Sequence, residues 1–138
     1  APRRRADLRE QTVVTASAPL APPEFLQLVE PGETPLGQLR VQSRGRTTIV
    51  SLGAARAARG VLLGRYDRCD GVVPATWFEH SVSRVHAFLI LEGGVLHLVD
   101  AGSTNGTSLR DRAIRCEPMP CGERVDLATA SLVWDPAN

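Results

Sequence analysis

An all-β fold, arranged as an antiparallel sandwich or barrel, is predicted by three features of this sequence. Its Val-, Leu- and Ile-rich runs are only a few residues long, right for strands and too short for typical helices. Turn-forming clusters separate them, among them Ser43-Arg44-Gly45-Arg46, Glu92-Gly93-Gly94 and Asn105-Gly106. The one Ala-rich stretch that could coil, Ala54–Ala58, is bracketed by Gly53 and Gly60 and reads as a loop. Many short strands with punctual turns and no internal repeat point to packed antiparallel sheets.

Taken in order, residues 1–24 begin with Arg3, Arg4, Arg5 and Arg9 and continue through Ala, Ser and Pro to Pro22-Pro23. So few large apolar side chains cannot offset the entropy of ordering, and the segment reads as a flexible linker; a short helix or strand docked on the domain is the competing reading. The domain proper is assigned to residues 25–138. Its strand runs are Gln38–Gln42, Thr47–Leu52, Val61–Gly64, Ala87–Leu91, Val95–Val99, Thr107–Leu109, Arg124–Leu127 and Ser131–Trp134. Between the third and fourth, Asp70–His80 holds Trp77 and Phe78, which are expected to tuck into the core. The stretch Arg110–Gly122, with Pro118 and Pro120, reads as a long hairpin connection before the last strands.

A chain of 138 residues has room for one domain and a tail. With 43% apolar and 22% charged residues, its composition is that of a soluble globular protein. No apolar run approaches the ~20 residues of a spanning helix, and no apolar core follows the N-terminal arginines as in a signal peptide. The first residue is Ala, which suggests a processed chain or a piece of a larger one. A net charge of +1 does not argue for a nucleic-acid partner. All 16 basic residues are Arg, so every cation available to an anion is a planar fork suited to bidentate contact with phosphate. Cys69, Cys116 and Cys121 make an odd count without metal-ligand spacing, which argues for reduced thiols in a cytoplasmic protein and against a disulfide framework, a metal or a cofactor.

Three polar clusters fall in the breaks between strands: Gly64-Arg65, then Ser81-Val82-Ser83-Arg84-Val85-His86, then Asp100-Ala101-Gly102-Ser103-Thr104-Asn105-Gly106-Thr107. They supply what a phosphate dianion needs, namely guanidinium forks, short hydroxyls and backbone N–H groups made accessible by glycine. Composition alone stops at an anion site on a β scaffold. The order and spacing of GR at Gly64-Arg65, S-x-x-H at Ser83–His86 and D-x-x-S-T-N-G at Asp100–Gly106 resemble the signature of the forkhead-associated (FHA) domain family, across roughly Leu36 to Trp134.

That resemblance, bacterial in flavour, implies a β-sandwich with functional loops at one end and phosphothreonine-dependent recognition of a signalling partner, without catalysis. It implies that Arg65 reaches the phosphate or the adjoining peptide backbone, that Ser83 donates its hydroxyl to a phosphate oxygen, and that Arg84 adds a second charged contact. Thr104 would offer a hydroxyl or backbone N–H, and Asn105 would bond the peptide main chain. Gly64, His86, Asp100 and Gly106 would support the loops. The implied partner is a phosphothreonine-containing protein, a Ser/Thr kinase or a kinase substrate, met by a monomer with no nucleic acid and no membrane insertion.

Three rival readings compete with it. Ser83, His86 and Asp100 are the residue types of a nucleophilic triad, but no G-x-S-x-G elbow surrounds Ser83. The N-terminal arginines have no interleaved aromatics for stacking on nucleic acid. An FHA-like scaffold that binds a non-phosphorylated surface is the alternative function. A further expectation places Thr12 and Thr15 as candidate phosphorylation sites that could serve as intramolecular ligands.

Overall fold

The computed structural model of the chain describes residues 22–65 and 78–137. Alternation builds its strands. Along Gly37–Ser43, buried Leu39 and Val41 alternate with exposed Gln38, Arg40 and Gln42, the period of two that sends successive side chains to opposite faces. Arg44 and Gly45, at φ 54° and 75°, turn this strand back on the next, left-handed values that match the twist of a two-residue hairpin.

In chain order the described strands are β1 (Glu24–Leu28), β2 (Gly37–Ser43), β3 (Arg46–Leu52), β4 (Val61–Leu63), β5 (Ala87–Glu92) and β6 (Val95–Asp100). They continue with β7 (Thr107–Leu109), β8 (Arg112–Ala113), β9 (Cys116–Pro118), β10 (Arg124–Leu127) and β11 (Ala130–Pro136). The helix of the described residues, α1 (Ala54–Arg59), lies between β3 and β4. The strands form a four-stranded sheet, β9-β6-β5-β4, and a seven-stranded sheet, β1-β3-β2-β11-β10-β7-β8. Among the described strands, every strand pairing is antiparallel except β1 with β3, where Glu24 faces Thr48 and Leu28 faces Leu52. Between the sheets the core gathers Leu39, Val41, Val50, Leu89, Leu98 and Leu132, all fully buried. The all-β sandwich expected from the sequence is what the chain forms.

Three expectations need correction. Ala54–Ala58 is helical, not a loop. Gly53 gives the helix no side-chain cap, and the carboxylate of Glu33 does so instead, accepting the Ala55 N–H at 2.9 Å from another part of the chain. The Arg110–Gly122 connection contains the short strands β8 and β9, the second paired to β6. Glu24, assigned to the linker, opens β1. Phe78 is buried at the core as expected. Cys69, Trp77, Thr12, Thr15 and the N-terminal arginines lie outside the described residues.

The registers decide where the loops go. Leu63 and Asp100 both face Ala87, so Gly64-Arg65, Ser83–His86 and the turn after Asp100 leave the four-stranded sheet at one end. On the seven-stranded sheet, Thr107 faces Leu127, Ser131 faces Gln42 and Ser43 faces Arg46, which puts the β10–β11 and β2–β3 turns on that same rim. No helix among the described residues is long and apolar enough to cross a membrane.

Candidate functional site

The three polar clusters meet at this rim and are fastened to one another mainly through backbone atoms. Gly64 comes first because nothing larger fits. A Cβ at that position would lie 2.2 Å from the Arg84 carbonyl oxygen and 2.9 Å from that of Ser83, so glycine lets the two loops touch. The contact is then sealed by Arg65. Its backbone N–H donates to the Ser83 carbonyl at 3.2 Å, and its Nε donates to the Val82 carbonyl at 2.5 Å. One N–H of the guanidinium is thus spent on aiming the group.

His86 fastens the second loop to the third. The ring is fully buried. Nδ1 accepts the Ser83 N–H at 2.9 Å, so the ring proton sits on Nε2, which donates to the Gly106 carbonyl at 2.8 Å. Gly106 itself holds φ 83°, a conformation an L side chain resists. Backbone bonds complete the brace, His86 N–H to Leu63 and Ala101 N–H to His86.

Asp100 shapes the third loop from within. Its carboxylate accepts the Gly102 and Ser103 N–H groups at 3.0 and 3.1 Å and the hydroxyls of Ser103 and Thr107 at 2.5 and 2.7 Å. Partial burial by itself would raise the Asp100 pKa. The two hydroxyls and two N–H groups outweigh it and hold the carboxyl below its ordinary 3.8. A carboxylate whose folded pKa is depressed stabilises the fold above its unfolded value and loses that contribution as pH falls through the folded one. In urea titrations at stepped pH, the stability gap between wild type and Asp100→Asn is therefore expected to narrow once pH drops below about 3.8. A constant gap would refute the loop-shaping role.

Of the contact residues that the resemblance implies, Arg65, Ser83, Thr104 and Asn105 are tied to neighbouring loops on this frame. Ser83 Oγ accepts the Thr104 N–H at 2.9 Å, linking the second and third loops directly. Asn105 Nδ2 donates to the Ser81 carbonyl at 2.7 Å. Thr104, Asn105 and Arg84 are exposed, while Arg65 and Ser83 are half-buried. Two groups the sequence offers to a ligand are already engaged here, the Thr104 N–H and one amide hydrogen of Asn105. The sequence also gave no role to the Val82 and Ser81 carbonyls that position Arg65 and Asn105, nor to Thr129, whose Oγ1 lies 2.7 Å from Ser81 Oγ.

The triad types do not form a triad. Ser83 Oγ faces a backbone N–H, the His86 ring serves the Ser83 backbone and Gly106, and Asp100 serves Ser103, Thr107 and Gly102. Among the described residues, no three His, Cys, Asp or Glu side chains gather as a metal site requires.

The FHA-domain family model matches residues 61–128, which includes all three clusters. By that match, residues 61–128 carry an FHA domain. Solved FHA domains share its fold. The FHA domain of the CT664 protein from Chlamydia trachomatis is 20% identical, with a TM-score of 0.62, over 73% of this chain and 97% of that one. An FHA domain analysed for phosphothreonine-dependent interactions is 21% identical, with a TM-score of 0.55, over 73% of this chain and 98% of its own. Mycobacterium tuberculosis EmbR, solved with a low-affinity phosphopeptide, is 19% identical, with a TM-score of 0.55, over 73% of this chain and 25% of EmbR. No curated protein matches the sequence of this FHA chain.

Proposed function

We propose that this FHA domain binds phosphothreonine on a partner protein and that Arg65, Ser83, Arg84, Thr104 and Asn105 make the contact. The position of Ser83 carries the reading. Its hydroxyl takes the Thr104 N–H and its carbonyl takes the Arg65 N–H, so a guanidinium and two hydroxyls share one small rim. Ser83 Oγ, used there as an acceptor, still has its own hydrogen to donate to a phosphate oxygen. Thr104 offers its hydroxyl, and the amide oxygen of Asn105 faces the peptide main chain. Charge-assisted bonds of this kind are roughly twice as strong as neutral ones, so the phosphate supplies most of the affinity. Two solved structures of the same fold, one described by phosphothreonine-dependent interactions and one with a low-affinity phosphopeptide, support the phosphothreonine reading.

The domain recognises without turnover, since Ser83 has no general base. Its partner is a Ser/Thr kinase or a kinase substrate, met in the cytoplasm by a monomer. Calorimetric titration with a phosphothreonine peptide and its unmodified twin tests the function. Micromolar binding, about −8 kcal/mol, is expected for the first and none for the second. Affinity should fall between pH 7.5 and 5.5 as the phosphate, with a second pKa of about 6, loses its second charge. Equal affinity for the two peptides would refute the proposal.

A further inference from the structure

A second basic feature stands on the same rim, outside all three motifs. The β2–β3 turn and the neighbouring strands β10 and β11 enclose a cleft of about 280 Å³, lined by Arg44, Arg46, Arg124, Thr129 and Ser131 among others. Among the described residues, no carboxylate lines it. Two of the described acids act on its walls from outside. Asp126 accepts from Arg124 Nε at 2.8 Å, and Glu79 lies 3.9 Å from Arg44 Nε with both side chains about half exposed. Exposed pairs of this kind are worth little and exchange readily for a better-placed anion.

The cleft is joined to the phosphothreonine rim by two hydrogen bonds. Thr129, in its wall, meets Ser81 at 2.7 Å, and the Ser81 carbonyl holds Asn105. The sheet order gives the span. From β7, which follows the Asn105-Gly106 turn, to β2 is three strand steps through β10 and β11. At ~4.8 Å per step that is about 14 Å, or roughly four residues of extended peptide at ~3.3 Å each.

Building on the phosphothreonine reading, we infer that this cleft selects anionic side chains about three to five residues from the phosphothreonine, on one flank of the peptide. Three guanidiniums and two hydroxyls suit a carboxylate, and they suit a second phosphate equally in chemistry.

The test uses phosphothreonine peptides in an alanine background, with paired Glu, or a phosphoserine, three to five residues before or after the phosphothreonine. Binding is measured on wild type and on a variant carrying Arg44→Asn, Arg46→Ala and Arg124→Ala. Asparagine is chosen at position 44 because it tolerates the φ of 54° there. An acidic flank on one side should raise wild-type affinity about fivefold, as two exposed ion pairs would, and the variant should lose that gain while binding the plain peptide normally. Whether Glu or phosphoserine gains more decides between the two anions. Binding of the plain peptide without an acidic gain, or a gain that survives in the variant, overturns this inference alone. Failure of the plain peptide to bind wild type overturns the phosphothreonine reading along with it.

Discussion

Replacing Arg65 by alanine is expected to lower phosphothreonine-peptide affinity by roughly 30- to 150-fold, about 2–3 kcal/mol, while moving the unfolding midpoint little. The guanidinium is held at Nε by the Val82 carbonyl, and the terminal nitrogens of the fork take no part in that bond. Only one neutral acceptor, on the rim, loses its donor in the variant, so a stability loss of no more than about 1 kcal/mol is expected. Arg65→Lys should fall between the two proteins, since it keeps the charge but neither the planar fork nor the Nε tether. The pair of measurements is calorimetric affinity and urea denaturation. Affinity within threefold of wild type for Arg65→Ala would remove Arg65 from the site.

His86→Ala should give the opposite pattern, a loss of at least about 3 kcal/mol of folding stability with binding lost as a consequence. The ring is fully buried, and its removal leaves a cavity and strips partners from the Ser83 N–H and the Gly106 carbonyl. Both loops that carry contact residues would then lose their mutual register. Urea denaturation measures the first effect. Titration at low temperature, where the variant is still folded, measures the second. A variant as stable as wild type would show that the ring bonds contribute nothing net, and normal affinity in a destabilised variant would show that the loops keep their register without it.

Most of the fold was legible because each inner strand is a short apolar run closed by its own turn residues, as Gln38–Gln42 is closed by Arg44-Gly45. What stayed hidden depends on distant partners. Helix α1 has no local cap, and Glu33, which caps it, is separated in sequence by all of β2 and β3. Strands β8 and β9 have too few buried residues to alternate, and β9 exists by pairing with β6. Strand β1 is an edge with Phe25 exposed. At the site, the side chains were readable as motifs, whereas their anchors were not. Carbonyls of Val82, Ser81 and Gly106 carry no mark in a sequence, and Thr129 reaches Ser81 only through the registers of β10 and β11.

The parallel edge strand has a practical bearing on handling the protein. Glu24 faces Thr48, close to the β2–β3 turn, so β1 begins at the pole of the proposed recognition loops. Pro136 faces Gly37 at the opposite pole, where the chain leaves. A sensor chip, dye or fusion partner joined directly before Glu24 would sit at the pole that carries the proposed peptide-binding loops. The same attachment after β11 would leave the approach to them clear.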